Sequence, residues 1–351
     1  MSSIRSQDLE SILAADLPWR RLAGETVMIT GAGGFLPSWF VYTLMRLNDL
    51  DRQPPCRVVA VVRDRDRALE RLAPFMERGD FQLMTADLRQ PVQPPFPIGY
   101  IIHAASPASP RQYMADPVGT LSVNTEGTSH LLRLARANPS ACLMFVSSGE
   151  VYGQTPDGPI NEDGYGYLDP TDLRSCYGEA KRAGEALCVA WSRQYGVDTR
   201  IVRPMHTYGP GISLSDGRVF ADFVADILAG RDIELKSDGR ARRPFCYVAD
   251  AMLGYFTVLF KGETAKPYSV GNDQAVLSIR DLAELLVSRA FPERGLKVKF
   301  SDPGGGAEKA SPIQGSTPDI SRLRALGWAP RTDPVAGFQR TVRSFEETPS
   351  P

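Results

Sequence analysis

Thr26-Val-Met-Ile-Thr30-Gly-Ala-Gly-Gly34-Phe-Leu-Pro37 is a short apolar run, rich in β-branched residues, that ends in a glycine turn and opens an amphipathic stretch. This order reads as a buried strand, a tight turn and a helix from about Pro37 to Leu47. In that context the backbone N–H groups of the turn and the helix N-terminus can hold a pyrophosphate. Taken alone, the turn is a weak signal, with a plain strand-to-helix connection as the lesser alternative. Pro37 stands where a third glycine is usual, and it suits a first helical turn.

Outward from this segment the same alternation repeats. Arg57–Val62, Phe81–Thr85, Tyr100–Ala105 and Ala141–Ser147 read as strands, with helices at Arg67–Arg78 and Val118–Ala137 between them. Strands alternating with helices predict an α/β fold, a Rossmann-like doubly wound parallel sheet with its ligand crevice at the carboxyl ends of the strands. Before it, residues 9–22 predict a leader helix inside an N-terminal segment 1–24. The dinucleotide-binding domain is expected over 25–204 and a smaller C-terminal substrate lobe over 205–345, with 346–351 as a tail. That lobe is expected to interleave with the sheet, because Thr199–Arg203 and Tyr247–Leu259 still read as core strand and helix, whereas Val219–Gly230, Ile279–Ala290 and Ile320–Leu326 read as its own helices.

The 351 residues are 42% hydrophobic and 23% charged, which fits a globular chain and excludes disorder as the main architecture. Forty basic against 41 acidic residues leave a net charge of −1, without the basic footprint of a nucleic-acid or membrane-surface binder. Any anionic ligand must therefore meet local positive groups. The five cysteines form no C-x-x-C pair and no complete disulfide framework. With no apolar run of transmembrane length and no signal-peptide core, a cytoplasmic protein is expected.

Three further features carry chemistry. At the end of the second strand, Arg63-Asp64-Arg65 offers an acid for a ribose 2′-hydroxyl and arginines for a 2′-phosphate, so NAD and NADP both remain open; a solvated charge run is the alternative. Tyr177 and Lys181 lie four residues apart on one helix face, where an ammonium can lower a phenol pKa and let tyrosinate act as a base. A strand ending in Ser147-Ser148 supplies a hydroxyl for the same substrate oxygen.

Together these residues resemble the extended short-chain dehydrogenase/reductase family of nucleotide-sugar enzymes. The resemblance runs from Thr26 to about Phe345 through Ala86-Asp87-Leu88, His103-Ala-Ala105, Asn124-Thr-Glu-Gly127, Val146-Ser-Ser-Gly-Glu-Val-Tyr-Gly153, Tyr177/Lys181, Arg203-Pro-Met-His-Thr-Tyr-Gly-Pro210 and Arg243-Pro-Phe-Cys-Tyr-Val-Ala-Asp250. His103-Ala-Ala-Ser-Pro-Ala-Ser-Pro110 and Arg174-Ser-Cys-Tyr-Gly-Glu-Ala-Lys-Arg182 look most like UDP-glucuronate decarboxylases. The resemblance implies Ser148, Tyr177 and Lys181 as the oxidation triad, with Glu150 as a fourth catalytic group. For NAD, with NADP not excluded, it implies Gly31, Gly33, Gly34, Phe35, Leu36, Arg63, Asp64, Asp87, Leu88, Ala104 and Ala105, together with Tyr177 and Lys181. For a nucleotide-sugar substrate it implies Ser106, Ser148, Glu150, His206, Arg218 and Arg243. It also implies a homodimer, and no metal site, nucleic acid or membrane partner is expected.

Three positions bear on the reaction. Glu150 keeps the acid of family members that act at sugar C5. Gly149 stands where dTDP-glucose dehydratases carry a further acid, and Ser316-Thr-Pro-Asp-Ile320 replaces the decarboxylase pattern Arg-Lys-Pro-Asp-Ile, without its arginine. His206 stands where relatives place an Asn beside the substrate. His103 is expected to pack at a strand end, and His130 to lie on a helix surface. The resemblance thus implies oxidation at sugar C4 and a 4-keto intermediate, in a nucleotide-sugar 4,6-dehydratase or epimerase. UDP-glucuronate decarboxylase is the alternative reaction, and an NAD(P)-bound sensor or scaffold the non-catalytic one.

Overall fold

The computed structural model describes residues 2–155, 158–300, 315 and 317–347. Strands β1 (Thr26–Thr30), β2 (Arg57–Val62), β3 (Phe81–Thr85), β4 (Tyr100–His103) and β5 (Cys142–Val146) alternate with helices. After the short β6 (Pro159–Ile160) come β7 (Asp198–Pro204), β8 (His206–Tyr208), β9 (Ile233–Leu235), β10 (Arg242–Tyr247) and β11 (Pro267–Val270). The central sheet has the order β3-β2-β1-β4-β5-β7-β11, with every pair parallel. Strand order reverses between β1 and β4, where Thr30 is in register with His103, and that reversal opens a crevice at the carboxyl ends. The doubly wound fold follows from the sequence pattern: β1 and β5 are buried along their whole length, as strands covered by helices on both faces must be.

Helix α1 (Ser3–Leu13) is followed by a 3₁₀ turn at Trp19–Leu22, so the expected leader helix 9–22 starts earlier and breaks. Ser2 caps α1 at one end, and Pro18 cannot continue a helix at the other. Leu9, Ile12 and Leu13 are buried in the main core, so α1 is an integral part of the packing. Helix α2 (Phe35–Asp49) starts two residues before the expected Pro37, with Gly34 as its N-cap. Helix α3 (Arg65–Leu72) ends before the expected Arg78, in a 3₁₀ turn at Ala73–Phe75. Helix α4 (Pro110–Ala115) precedes α5 (Pro117–Ser122) and α6 (Thr128–Ala137), which a π-turn at Val123–Gly127 joins where one long helix is expected. That turn carries Asn124, which donates to Ser106 Oγ at 2.9 Å and to the Thr120 carbonyl at 2.8 Å.

Helix α7 (Cys176–Tyr195) covers the sheet next to β5 and β7 and ends at Gly196, whose φ of +70° closes it in a left-handed cap. Beyond it, α8 (Val219–Leu228), α9 (Val248–Lys261) and the strand β12 (Val276–Ser278) build the C-terminal part, with a small sheet β12-β10-β8. Strand β11 returns to the central sheet beside β7. The chain closes with α10 (Ile279–Leu285), β13 (Val298–Phe300) beside β9, β14 (Thr317–Pro318) beside β6, α11 (Ser321–Arg324) and α12 (Pro334–Glu346). Ser316 lies outside the described residues, as do residues 303–306.

Candidate active site

The β1–α2 turn depends on its glycines. Gly31 has φ +68°, and a Cβ there would stand 2.7 Å from Ala105 Cα, so the turn passes tightly under the chain leaving β4. Thr30 Oγ1 ties the two strand ends together: it bonds His103 Nδ1 at 2.9 Å and accepts from the backbone N–H groups of Ala104 and Ala105 at 3.2 Å. His103 is buried, and burial pushes its pKa down to about 3, so it is a neutral strand-end residue. Gly34 brings no side-chain cap to α2, leaving the first N–H groups of that helix for a ligand.

A cavity of about 380 Å³ begins at this turn and runs across the ends of β1, β4, β5 and β7. Gly31, Gly33, Gly34, Phe35 and Leu36 line it at one end, with Ala104 and Ser106 along its side. Ser148, Glu150, Tyr177 and Lys181 line its middle, and His206, Arg218 and Arg243 its far part. Arg63, Asp64, Asp87, Leu88 and Ala105 are not among the lining residues. Asp64 accepts from Arg67 N–H as the N-cap of α3, Asp87 is bound by Arg89, and Leu88 is buried in the core. His130 is half-buried on α6 and bonds the Leu88 carbonyl at 3.0 Å.

The middle of the cavity gathers three elements. Strand β5 ends at Val146 and delivers Ser147 and Ser148; Ser148 caps the 3₁₀ turn Gly149–Tyr152 by accepting from Glu150 N–H at 3.1 Å. Tyr177 and Lys181 come from the first turns of α7. Ser148 is a hydrogen-bond partner of the Tyr177 phenol, which burial nevertheless pushes up to about 12, aided by the nearby Glu150. The expected lowering of this phenol by Lys181 is therefore not found in the protein alone. Lys181 Nζ instead donates to the Val146 carbonyl at 2.8 Å, and burial pushes its own pKa down to about 7. Burial disfavours the charged form of an amine, so Lys181 is only partly charged at neutral pH.

Behind Lys181, Glu185 accepts from Ser147 Oγ at 2.6 Å and from Arg203 Nε and Nη2 at 2.9 and 2.7 Å. This buried network fixes the end of β5 against α7. Glu150 faces two cations: burial raises its pKa, while Arg174 and Arg243 oppose that rise. His206 is held neutral, its pKa pushed well below 6.5 by burial and then by Arg243 and Arg218. A Cβ on Gly149 would meet Met205 Sδ at 2.7 Å, so no acidic side chain fits there without displacing Met205.

Several residues at the site are absent from the sequence expectation. Tyr113 stacks on Tyr177 from α4, across 64 positions of chain that no local pattern connects. Arg71 lines the cavity from α3, and its i,i+4 spacing from Arg67, which lines it too, was the available signal. Among the described residues, no group of three or more His, Cys, Asp or Glu side chains could hold a metal ion, and no helix is long and apolar enough to cross a membrane. All five cysteines are free and buried.

A glycine turn at the switch point of a doubly wound sheet, opening into a Ser–Tyr–Lys grouping, defines a dinucleotide-dependent enzyme of the short-chain dehydrogenase type. The model of the NAD dependent epimerase/dehydratase family matches residues 27–271, and the chain belongs to that family. It is 31% identical over 324 residues to UDP-glucuronic acid decarboxylase 1 of Xenopus tropicalis, covering 92% of this chain and 72% of that protein. In fold it is similar to UDP-glucose 4-epimerase from Thermotoga maritima, with a TM-score of 0.76, 20% identity and coverage of 92% of this chain and 99% of that one. It is similar also to dTDP-glucose 4,6-dehydratase from Streptomyces venezuelae, with a TM-score of 0.74, 24% identity and coverage of 92% and 97%.

Proposed function

We propose that the protein binds NAD and a nucleotide sugar in this cavity, oxidises the sugar at C4 and uses Glu150 on the resulting 4-keto sugar, as an epimerase or 4,6-dehydratase does. The observation that carries this reading is the convergence of Ser148, Tyr177, Lys181 and Glu150 on the cavity that starts at the glycine turn. The turn fits the dinucleotide, since uncapped N–H groups at α2 and glycines without Cβ leave room for phosphate. Gly31, Gly33, Gly34, Phe35 and Leu36 would hold it, and when bound it supplies a reversible hydride acceptor.

Tyr177 takes the C4 hydroxyl proton while Ser148 shares the same oxygen. The phenol is too basic in the protein alone to be ionised at neutral pH. Ligand binding must therefore lower it, or the proton must leave during C–H cleavage. A C4 ketone acidifies C5–H, and Glu150, the carboxylate near Tyr177, would remove that proton. Arg243 and Arg218 supply positive charge for the substrate's phosphates, and neutral His206 offers one donor and one acceptor beside them. A homodimer in the cytoplasm completes the reading.

Decarboxylation of UDP-glucuronate is a second reading. A 4-keto uronate is a β-keto acid and loses carbon dioxide without an acid at position 149, where Met205 fills the space. The similarity to a UDP-glucuronic acid decarboxylase favours it. Incubation with a panel of nucleotide sugars in deuterium oxide, reading product masses, tests both. A 4-keto-6-deoxy or deuterium-bearing epimeric product supports the first reading, and loss of carbon dioxide the second. No conversion of any sugar, with NAD bound, would favour a sensor or scaffold.

A further inference from the structure

Arg71 and Arg5 stand together at Gly211, and among the described residues neither is held in an ion pair. Arg71 comes from α3 and lines the same cavity as Gly34 and Pro37. Arg5 comes from α1, with its guanidinium 4.7 Å from the ring centre of Tyr42 and 5.9 Å from that of Trp39. Both guanidinium groups reach the point where a Cβ on Gly211 would stand, Arg5 Nη2 at 3.0 Å and Arg71 Nη1 at 3.2 Å. A side chain at position 211 would collide with them.

The surroundings fix Arg71 in place but leave most of its donors unused. Tyr42 donates to the Arg71 carbonyl at 3.1 Å, and Arg71 Nη1 donates to the Gly211 carbonyl at 2.7 Å. Trp39 holds the same loop through Pro210 O at 3.1 Å. A guanidinium has five N–H donors, and among the described residues only one of Arg71's is taken by protein. Arg5 Nε is buried with no partner. Among the described residues neither arginine forms an ion pair within 4 Å, and Glu70, which also lines the cavity, acts on Arg71 only through its field. Two like charges brought together and half-desolvated are unfavourable unless an anion joins them. The anion that the N-terminus of α2, which lines the same cavity, also attracts is a phosphate.

We infer that Arg71, with Arg5 behind it, forms a cationic seat for a phosphate of the bound dinucleotide, which makes the N-terminal helix α1 part of the cofactor site. The inference rests on the reading of the cavity as a dinucleotide site. It moves side-chain recognition from Arg63 and Asp64, which do not line the cavity, to the far end of α3.

The test is calorimetric binding of NAD, NADP and adenosine to the full chain, wild type against Arg71→Gln and Arg5→Ala, with far-ultraviolet circular dichroism and melting as the check on folding. A hydrogen bond to a charged group predicts about a tenfold or greater rise in the dissociation constant for Arg71→Gln. Arg5→Ala should give a smaller rise that shrinks in added salt, because its contribution is mainly field. Adenosine binding should be unchanged in both. A loss shared by NAD and NADP assigns the seat to the pyrophosphate, and a loss for NADP alone to its 2′-phosphate. Folded variants that bind both dinucleotides as wild type does overturn the inference, as does an equal loss for adenosine. If wild type itself binds neither dinucleotide, the fault lies in the dinucleotide reading instead.

Discussion

The ring of Tyr113 lies parallel to that of Tyr177, with centroids 5.2 Å apart and planes 7° from each other. The stack closes one face of the proposed base and adds to the burial that raises its pKa. Aromatic pairs contribute about 0.5–1.5 kcal/mol beyond area burial, enough to set a ring's orientation. Tyr113→Ala is therefore expected to lower kcat by roughly tenfold with NAD affinity intact, and Tyr113→Phe to restore most of it. A kcat unchanged in Tyr113→Ala would show that the stack does not orient Tyr177.

Tyr177→Phe keeps that stack and removes only the hydroxyl. Loss of a general base costs about 10²–10⁴ in rate, so turnover should fall by that much while melting and NAD binding stay close to wild type. Full activity in the folded variant would remove Tyr177 from the chemistry.

Lys181 gives the cofactor-free protein a specific pH dependence. Its pKa is about 7 in the fold, because of burial, against an ordinary 10.5. Between these values the unfolded chain binds the proton that the folded chain has released, so stability rises with pH across this window, by at most about 1.4 kcal/mol per unit. Below the folded value both states are protonated and the burial cost is present in full. Denaturant unfolding of wild type and Lys181→Met at several pH values isolates this contribution: the difference in stability should move in favour of wild type as pH rises. A flat difference would mean that Lys181 keeps its proton in the fold.

The doubly wound sheet was legible because buried parallel strands write themselves as continuous apolar runs, as β1 and β5 do. The centre of the site was legible too, since Ser148, Glu150, Tyr177 and Lys181 sit at strand and helix ends whose local motifs are distinctive. Other residues read from the sequence do not line the cavity. Arg63, Asp64 and Asp87 lie next to the right strand ends, but Asp64 is committed to capping α3 and Asp87 to Arg89. Arg5 reaches Arg71, and Tyr113 reaches Tyr177, through tertiary packing that no sequence period encodes. The Tyr177/Lys181 spacing gave the right helix face but could not show that Lys181 would bind the Val146 carbonyl.

His206 should bind as a neutral ring. Its pKa is pushed well below 6.5 by burial, so the ring is uncharged between about pH 6.5 and 8. His206→Ala should weaken nucleotide-sugar binding by the same factor at both ends of that range, without changing NAD affinity. A penalty that grows at the acidic end would mean that the ring protonates to hold phosphate, and no penalty would give it a structural role.

Glu150 separates the enzyme readings. Its carboxyl is raised above the ordinary 4.5 by burial, with Arg174 and Arg243 holding the rise in check. A base must be ionised, so C5 proton exchange should appear as pH climbs past this raised value and fade below it. Removing one cation moves that limb further up, and Arg174→Gln should shift it to higher pH. Glu150→Gln should abolish deuterium incorporation at C5 while a 4-keto sugar can still be trapped with hydroxylamine, because Tyr177 and Ser148 act at C4. Mass spectrometry of products in deuterium oxide reads both effects. If Glu150→Gln retains full exchange, another group removes the C5 proton. If turned-over wild type shows neither C5 exchange nor carbon dioxide from UDP-glucuronate, the chemistry is confined to C4 and Glu150 serves only as a partner for Arg174 and Arg243.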